Sequence, residues 1–230
     1  MFINKIQSLI SEAKTEEAIS QKWIDDAVKE LENFLPLGQF DEERMLLLDK
    51  NGDFNGQKAP RWLCHLIGLR HGTVHIILWS AHSQPRILFQ LRSRMKKDFP
   101  LNIELSVTGH IGMENDWLVS AYREMQEEIG LTAENLAGNL IFVGNNFISY
   151  DDDKNNFHDR EFVKIYTQRL RPSGIASLSP SENEVEKIYF ISEDNISGIY
   201  AEFKVAPGLK HTFPLYMSWL SNNRHFLMQI

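Results

Sequence analysis

The chain has 230 residues, of which 43% are apolar and 24% are charged, proportions that are ordinary for a folded globular protein. A chain of this length buries a large core and is most simply one domain with additions at its ends. Its net charge of -7 and its pI near 5.6 argue against binding to a nucleic-acid polymer, which requires a basic surface. Small phosphorylated ligands stay compatible with this charge, because a metal ion and a few local cations are enough to bind them.

The number of cysteines and the length of the apolar segments indicate the cellular compartment in which the protein is expected. The single cysteine, Cys64, excludes a framework of disulfides within the chain. The sequence shows neither a signal peptide nor an apolar run of the roughly 18 residues that a membrane helix needs. We therefore expect a cytoplasmic protein that does not enter a membrane, with a small phosphorylated substrate as its partner, and a homodimer stays open.

The chain begins with helical patterns. Apolar residues recur at helical spacing through residues 3–35, and Pro36 and Gly38 are predicted to end these helices. Residues 45–60 contain an apolar run followed by the turn signals Asn-Gly and Asn-Gly. This pattern predicts a small strand or hairpin that leads into the main domain.

The remainder of the chain is predicted to alternate strands with helices. A helix is expected at residues 116–129, a polar turn at 81–84, an acidic and amide-rich loop at 151–159 and a final helix at 213–227. Six segments show the patterns of strands: 71–80, 85–93, 101–109, 140–149, 161–170 and 187–192. Strands with helices interposed predict an α/β or α+β sandwich with a mixed sheet.

One predicted helix carries three carboxylates within a short stretch: Glu124, Glu127 and Glu128. Helical geometry is expected to place them on one face, where like charges repel by roughly a few tenths of a kcal/mol per pair. A bound cation removes this repulsion, and oxygen ligands suit Mg²⁺ or Mn²⁺, which are usually shared with substrate phosphates. The alternative is that the cluster is only a solvated charged face, which is the commoner origin of such patterns.

The surrounding residues favour the metal site. Residues 109–131 read GHIGMENDWLVSAYREMQEEIGL, which resembles the Nudix box, Gx5Ex7REUxEExGU with U apolar. Every specified position matches except that of the first Glu, where Asn115 stands, with Glu114 one residue early. In the family this Glu is chiefly a partner for the box arginine, here Arg123. Asn115 therefore puts the catalytic efficiency of the site in doubt more than its ability to bind a metal.

The resemblance extends beyond the box: residues 40–192 are similar to the isopentenyl-diphosphate isomerase branch of the Nudix proteins. That branch has a Lys-Lys-x-aromatic-Pro turn and a Ser-Val-x-Gly-His approach to the box. These motifs fall here on Lys96, Lys97, Phe99, Pro100, Ser106, Val107, Gly109 and His110. The catalytic cysteine of the isomerases falls on Thr108, whose hydroxyl is a much poorer acid. Isomerase activity is therefore disfavoured and the hydrolase branch is favoured.

The resemblance also implies the residues of the site, with Mg²⁺ or Mn²⁺ as the cofactor. The implied metal ligands are Glu124, Glu127, Glu128, the Gly109 carbonyl and His110. The implied catalytic residues are Glu127, Glu128, Arg123 and, as an outside candidate for the base, Glu161. Substrate contacts are expected from Arg92, Lys96 and Asp159, and His71 is a weaker candidate for the site.

We therefore expect a Nudix pyrophosphohydrolase that cleaves a diphosphate bond in a nucleoside diphosphate linked to another group. Two alternatives stay open: an isomerase acting on isoprenoid diphosphate, and a non-catalytic domain that binds a metabolite, which Asn115 supports. The expected organisation is an N-terminal helical extension (1–38), a Nudix domain (39–205) and a C-terminal helix packed on it (206–230). The sequence does not specify the substrate, because specificity depends on pocket walls.

Overall fold

Helices and strands alternate along the chain in the computed structural model, which describes residues 2–15, 19–34, 43–80 and 85–224. The elements of these ranges are, in chain order, α1 (Phe2–Ala13), α2 (Gln21–Glu32), β1 (Arg44–Leu48), β2 (Phe54–Pro60), α3 (Arg61–Ile67), β3 (His71–Ser80), β4 (Arg86–Arg92), β5 (Ile103–Glu104), β6 (Val107–His110), α4 (Trp117–Ile129), β7 (Ile141–Asp152), β8 (Phe157–Leu170), α5 (Pro172–Ala176), β9 (Val185–Ser192), α6 (Ile196–Glu202) and α7 (Pro207–Asn222). This composition confirms the α+β class. Within the described ranges, no helix is long and apolar enough to cross a membrane.

The chain forms two compact units, and each has its own core of buried apolar residues. Unit 1 consists of Met1–Thr73, His110–Asp116 and Phe147–Val163, and unit 2 consists of Val74–Gly109, Trp117–Asn146 and Lys164–Ile230. The domain boundaries expected after residues 38 and 205 stay a prediction.

In unit 1 the N-terminal helices bury the apolar faces that their periodicity predicts. Ser20 caps α2 by accepting a hydrogen bond from the Trp23 amide, and the buried side chains of α2 are Ile24, Ala27 and Leu31. They belong to one cluster with residues of α1, β1 and α3. Strands β1 and β2 pair antiparallel, which confirms the predicted hairpin.

In unit 2 helix α4 buries Ala121, Met125 and Ile129 in a cluster that includes residues of β3 and β4. The helix ends at Gly130, which has φ 73°, as the predicted glycine stop requires. The Leu131 amide donates to the Met125 carbonyl at 3.3 Å and closes the last turn. Strand β4 pairs antiparallel with β3, β5 and β9, so it is an interior strand of the sheet.

The loop predicted at residues 151–159 is wrong for most of its length. Strand β7 continues to Asp152 and β8 begins at Phe157, so that only residues 153–156 turn. The Asp152 carboxylate accepts hydrogen bonds from the backbone amides of Lys154 and Asn155, at 3.2 and 3.3 Å. The acidic and amide residues that indicated a loop therefore close a tight hairpin turn.

Other bounds also differ from the prediction. The strand predicted at 101–109 is two short strands, β5 and β6, and the final helix spans residues 207–222 instead of 213–227. Helix α7 begins earlier because Pro207 occupies its first turn, where the missing amide proton is not needed. The predicted turn at 81–84 and the helix stops at Pro36 and Gly38 lie outside the described residues.

Candidate active site

Helix α4 presents two of the three carboxylates together with the neighbouring arginine. The Arg123 Nη1 atom donates to Glu124 Oε1 at 2.7 Å and to Glu127 Oε2 at 3.1 Å. The Glu127 side chain is 57% exposed, whereas that of Glu124 is only 13% exposed. Arg123 therefore holds two carboxylates next to each other, and the more exposed of them is accessible to solvent.

The third carboxylate lies in a different environment from that of Glu127. Glu128 is buried, because it follows Glu127 by one residue and is rotated from it by about 100° around the helix axis. Its Oε2 atom accepts hydrogen bonds from Gln90 Nε2 at 2.9 Å and from the Thr108 backbone amide at 3.3 Å. Burial and, next, the charge of Glu124 raise the pKa of Glu128 to about 8.

Glycine at position 109 allows the backbone to approach the carboxylates. A Cβ atom at Gly109 would lie 2.0 Å from Glu124 Cδ, so glycine leaves the space that the Glu124 carboxyl group occupies against this backbone segment. Carboxylates crowded in this way, one of them buried, are destabilised without a cation. These oxygen donors are of the kind that a hard divalent cation such as Mg²⁺ or Mn²⁺ prefers. Among the described residues, however, the ligand atoms of Glu124, Glu127 and Glu128 do not all lie within 4.8 Å of one another, so these side chains must rotate to hold one ion.

The basic residues upstream of the box contact the protein itself. The Arg92 guanidinium donates twice to the Asp98 carbonyl, at 2.9 and 3.2 Å. Lys96 is paired with Glu184, and Arg94 is paired with Glu186. These contacts use only some of the N–H donors of Arg92 and Lys96, so a phosphate oxygen could bind beside the present acceptors or in their place.

Unit 1 contains a second group of potential metal ligands. Ring nitrogens of His65, His71 and His110 lie within 4.8 Å of one another. The Nδ1 atom of His71 lies 2.9 Å from the Leu69 carbonyl, which can only accept, so Nδ1 carries the proton and Nε2 does not. Nε2 is buried and has no hydrogen-bond partner among the described residues. A histidine whose other nitrogen donates to a carbonyl is the usual form of a metal ligand.

Carboxylates of strand β8 complete this histidine cluster. The His71 Nε2 atom lies 3.6 Å from Asp159 Oδ1 and 4.0 Å from Glu161 Oε1. His110 Nδ1 lies 3.2 Å from Glu43 Oε1. Burial lowers the pKa of His71 to about 4, so the ring is neutral and able to bind a metal near neutral pH.

Sequence reasoning missed His65, and Glu43 was also overlooked. His65 lies on α3, a helix that was not predicted, and its Nε2 is 3.8 Å from Asp159 Oδ1. The only signal in the sequence was a second histidine six positions before His71. The structure thus brings together His71, His110, Asp159 and Glu161 of the expected site, in unit 1.

The departure from the box pattern fits its local backbone. Asn115 has φ 51°, in the left-handed region that asparagine adopts far more readily than glutamate. Its amide donates to the Gly112 carbonyl at 3.1 Å and closes a turn. A Cβ at Gly112 would lie 2.0 Å from a Glu114 carboxylate oxygen, so the neighbouring acidic side chain folds back over this turn.

Comparison with known proteins identifies the family. Residues 69–216 match the model of the NUDIX domain. The chain belongs to the Nudix family. It is 31% identical over 151 residues to Nudix hydrolase 3 of Arabidopsis thaliana. This alignment covers 65% of the present chain and 19% of the relative. The chain is 25% identical over 178 residues to an uncharacterized Nudix hydrolase of Streptomyces coelicolor, covering 77% of this chain and 90% of that one.

A solved structure supports the same architecture. The crystal structure of a Deinococcus radiodurans protein aligns with a TM-score of 0.54 at 17% identity, over 71% of this chain and 92% of that one. This likeness concerns the fold alone. The present chain spans about a fifth of the length of the Arabidopsis Nudix relative. The Nudix box lies entirely within the range that matches the family model.

Proposed function

We propose that this Nudix protein is a metal-dependent pyrophosphohydrolase acting on a nucleoside diphosphate linked to another group. The observation that carries the proposal is the carboxylate cluster of α4, in which Glu128 is buried close to Glu124 and Glu124 lies against Gly109. The names of both relatives as Nudix hydrolases support the reaction class. A binding domain that held no metal would have no reason to keep this repulsive cluster.

In the proposed reaction, Glu124, Glu127, Glu128 and the Gly109 carbonyl would hold Mg²⁺ or Mn²⁺. The ion, when bound, neutralises the diphosphate and makes a water more acidic. Glu127 is the most exposed carboxylate and accepts the proton of the attacking water, with Glu128 as the other candidate. The water oxygen bonds to phosphorus as the P–O bond to the leaving phosphate breaks. Arg123 keeps Glu124 and Glu127 in position.

Substrate contacts are proposed for Arg92 and Lys96. The charge of Arg92 is close enough to oppose the rise in the pKa of Glu128, so it acts within the carboxylate cluster. An incoming diphosphate carries more charge than the Asp98 carbonyl, which is neutral, and would compete for this guanidinium. Lys96 would leave Glu184 for phosphate in the same way.

The histidine cluster of unit 1 is proposed as a second cation position. His110 and Glu161 are its proposed ligands, with His71 and His65 as further nitrogen donors and Asp159 beside them. Asp159 stays a candidate for contact with the substrate, and Glu161 stays the outside candidate for the base. A site that combines imidazole and carboxylate ligands suits Mn²⁺, Zn²⁺ or Fe²⁺ better than it suits Mg²⁺.

The isomerase branch is the second candidate, and the histidine cluster is the observation that favours it. The resemblance implies a histidine ligand at His110 and an acidic pair near Glu161, and these residues do meet in the structure through His71. Thr108 stands against it, because its hydroxyl does not replace a thiol in proton transfer. Deuterium incorporation from heavy water into isopentenyl diphosphate would support this candidate.

A product assay tests the proposed function. The protein is incubated with Mg²⁺ or Mn²⁺ and a panel of nucleotide sugars, dinucleotides, nucleoside triphosphates and isoprenoid diphosphates, and phosphorus NMR identifies the products. We expect a nucleoside monophosphate and a phosphorylated fragment. A Glu127→Gln variant should lose this activity. Metabolite binding with no release of phosphate, or a Glu127→Gln variant as active as the parent, would overturn the proposal.

A further inference from the structure

Gln90 is a buried amide in the middle of an otherwise apolar stretch of β4. The strand is paired on both sides here: Gln90 lies opposite Glu104 of β5 and Ile188 of β9. Its backbone is therefore fixed by two ladders. Alternation along the strand places its side chain on the face of Leu88, which packs in the unit 2 core together with Met125 of α4.

Only half of this amide is satisfied. Gln90 Nε2 donates to Glu128 Oε2 at 2.9 Å, whereas Gln90 Oε1 is buried and has no hydrogen-bond partner among the described residues. A buried polar atom without a partner costs about 1–3 kcal/mol. A methionine or leucine would fill this position without that cost. The presence of an amide at this position is therefore best explained by its hydrogen bond to Glu128.

Two donors hold the same oxygen of Glu128. The Gln90 side chain and the Thr108 backbone amide both reach Oε2, at 2.9 and 3.3 Å. No hydrogen bond to Glu128 Oε1 is formed within the described part of the chain. This arrangement fixes the plane of the carboxylate and leaves Oε1 for a ligand. The backbone donor belongs to β6, so the Gln90 side chain is the donor that a substitution can remove.

We propose that Gln90 is a positioning residue of the hydrolytic site. Its Nε2 group fixes the Glu128 carboxylate so that Oε1 faces the cation, and its own unpartnered Oε1 accepts a hydrogen bond from a water in that site. The inference rests on the proposed function, because it requires Glu128 to be a metal ligand. Groups that orient a metal ligand in this way typically change metal affinity or activity by about 10–100-fold when they are removed.

A Gln90→Met variant tests the inference, because methionine has a similar length but neither donates nor accepts strongly. We expect the Kd for Mn²⁺, measured by EPR without substrate and with His71→Asn present in both proteins to weaken the histidine cluster, to rise about 10–100-fold. In Gln90→Met alone, kcat should fall by a similar factor with little change in KM. Gln168→Met is the matched control: Gln168 is a buried amide of β8 that donates to the Asn139 carbonyl. It should leave the Kd and kcat within about twofold.

A double-mutant cycle shows whether Gln90 acts through Glu128. In a Glu128→Gln background, Gln90→Met should cause no further loss, because the oriented carboxylate is already absent. Independent, multiplicative losses would overturn the inference. Should Gln90→Met unfold, Gln90→Asn replaces it, since its shorter amide does not reach Glu128 and predicts the same loss.

The two proposals fail in different ways. If Glu128→Gln leaves both Mn²⁺ binding and kcat unchanged, the proposed function itself is wrong. If Glu128→Gln loses both but Gln90→Met and Gln90→Asn retain them, only the role of Gln90 is wrong.

Discussion

The two candidate cation sites are assembled in opposite ways. The carboxylate cluster of unit 2 draws its three acids from one helix, within five consecutive residues. The histidine cluster of unit 1 collects its residues from α3, β3, β6 and β8, over almost a hundred positions of sequence. A local pattern is therefore enough to find the first cluster, whereas the second exists only once the chain has folded.

The two clusters also differ in chemistry. The ligands of the carboxylate cluster are anionic oxygens, and its crowding makes a cation necessary for balance. The histidine cluster offers neutral nitrogens, and at His71 the Leu69 carbonyl fixes the tautomer before any ion arrives. We therefore expect the first cluster to prefer hard ions and the second to bind transition metals more tightly.

The largest expected effect is the loss of catalysis in a Glu128→Gln variant. The amide keeps the size of the side chain but cannot become the anionic ligand that the proposed reaction needs, so kcat should fall by about 10²–10⁴-fold. The steady-state rate with the best substrate of the panel is the measurement. Glu134→Gln is the control, because Glu134 is an exposed acid of the same unit. A rate near that of the parent in Glu128→Gln would show that the carboxylate cluster is not the catalytic one.

A His71→Asn variant tests the histidine cluster separately. We expect the affinity for Co²⁺, followed by its visible absorption, to fall about 10–100-fold, because the variant removes the nitrogen that the Leu69 carbonyl orients. His158→Asn is the control, since His158 is also buried in unit 1 but its Nδ1 lies 2.7 Å from Asp151. Equal Co²⁺ binding in both variants would contradict the assignment.

The sequence predicts best those features that local rules determine. The 71–80 strand and the α4 helix lie within one residue of their predicted bounds, because each combines a clear period with a clear stop. The box also pointed to Arg123 beside its carboxylates. Their separate environments were missed, because burial of Glu128 depends on β4 packing against the helix face that carries it.

The residues that sequence reasoning missed depend on contacts distant along the chain. His65 meets His71 only through helix α3, which lies within a stretch that had no clear period. In the sequence, Gln90 is an ordinary strand residue. Its proposed role depends on its hydrogen bond to Glu128, which lies 38 positions later. Arg92 and Lys96 were identified as cations, but their present acceptors, Asp98 and Glu184, were not predicted.

A smaller effect is expected for Gly109→Ala. This variant adds a Cβ atom beside Glu124 but leaves every charge of the cluster in place, so it tests the close approach of the backbone by itself. The new Cβ would lie 2.0 Å from Glu124 Cδ, near the flexible end of that side chain, so the carboxylate must move, at a cost of at most about 1 kcal/mol in the free energy of unfolding. Mn²⁺ affinity should decrease at the same time. Gly144→Ala is the matched control, because no heavy atom lies within 4 Å of its Cβ position. Urea unfolding and EPR provide the two readouts, and equal results for both variants would refute the close approach.

Another buried histidine, outside the histidine cluster, shows what burial does to the pKa of an imidazole. His75 of unit 2 lies 2.7 Å from Thr212 Oγ1, and burial lowers its pKa to about 3. Because the unfolded chain takes up this proton near pH 6.5, the stability from neutral His75 is complete above that pH and is lost as the pH falls toward 3. The loss amounts to about 2 kcal/mol at about pH 5.

In His75→Gln this part of the pH dependence should disappear, because glutamine does not titrate. Urea unfolding near pH 7 and pH 5 measures it: the free energy of unfolding of the parent should fall by about 2 kcal/mol more than that of the variant. The His71 ring titrates in both proteins, since its pKa is also lowered by burial, and it cancels in the difference. Equal slopes would mean that His75 takes up its proton as readily in the fold as in the unfolded chain, and that burial does not lower its pKa.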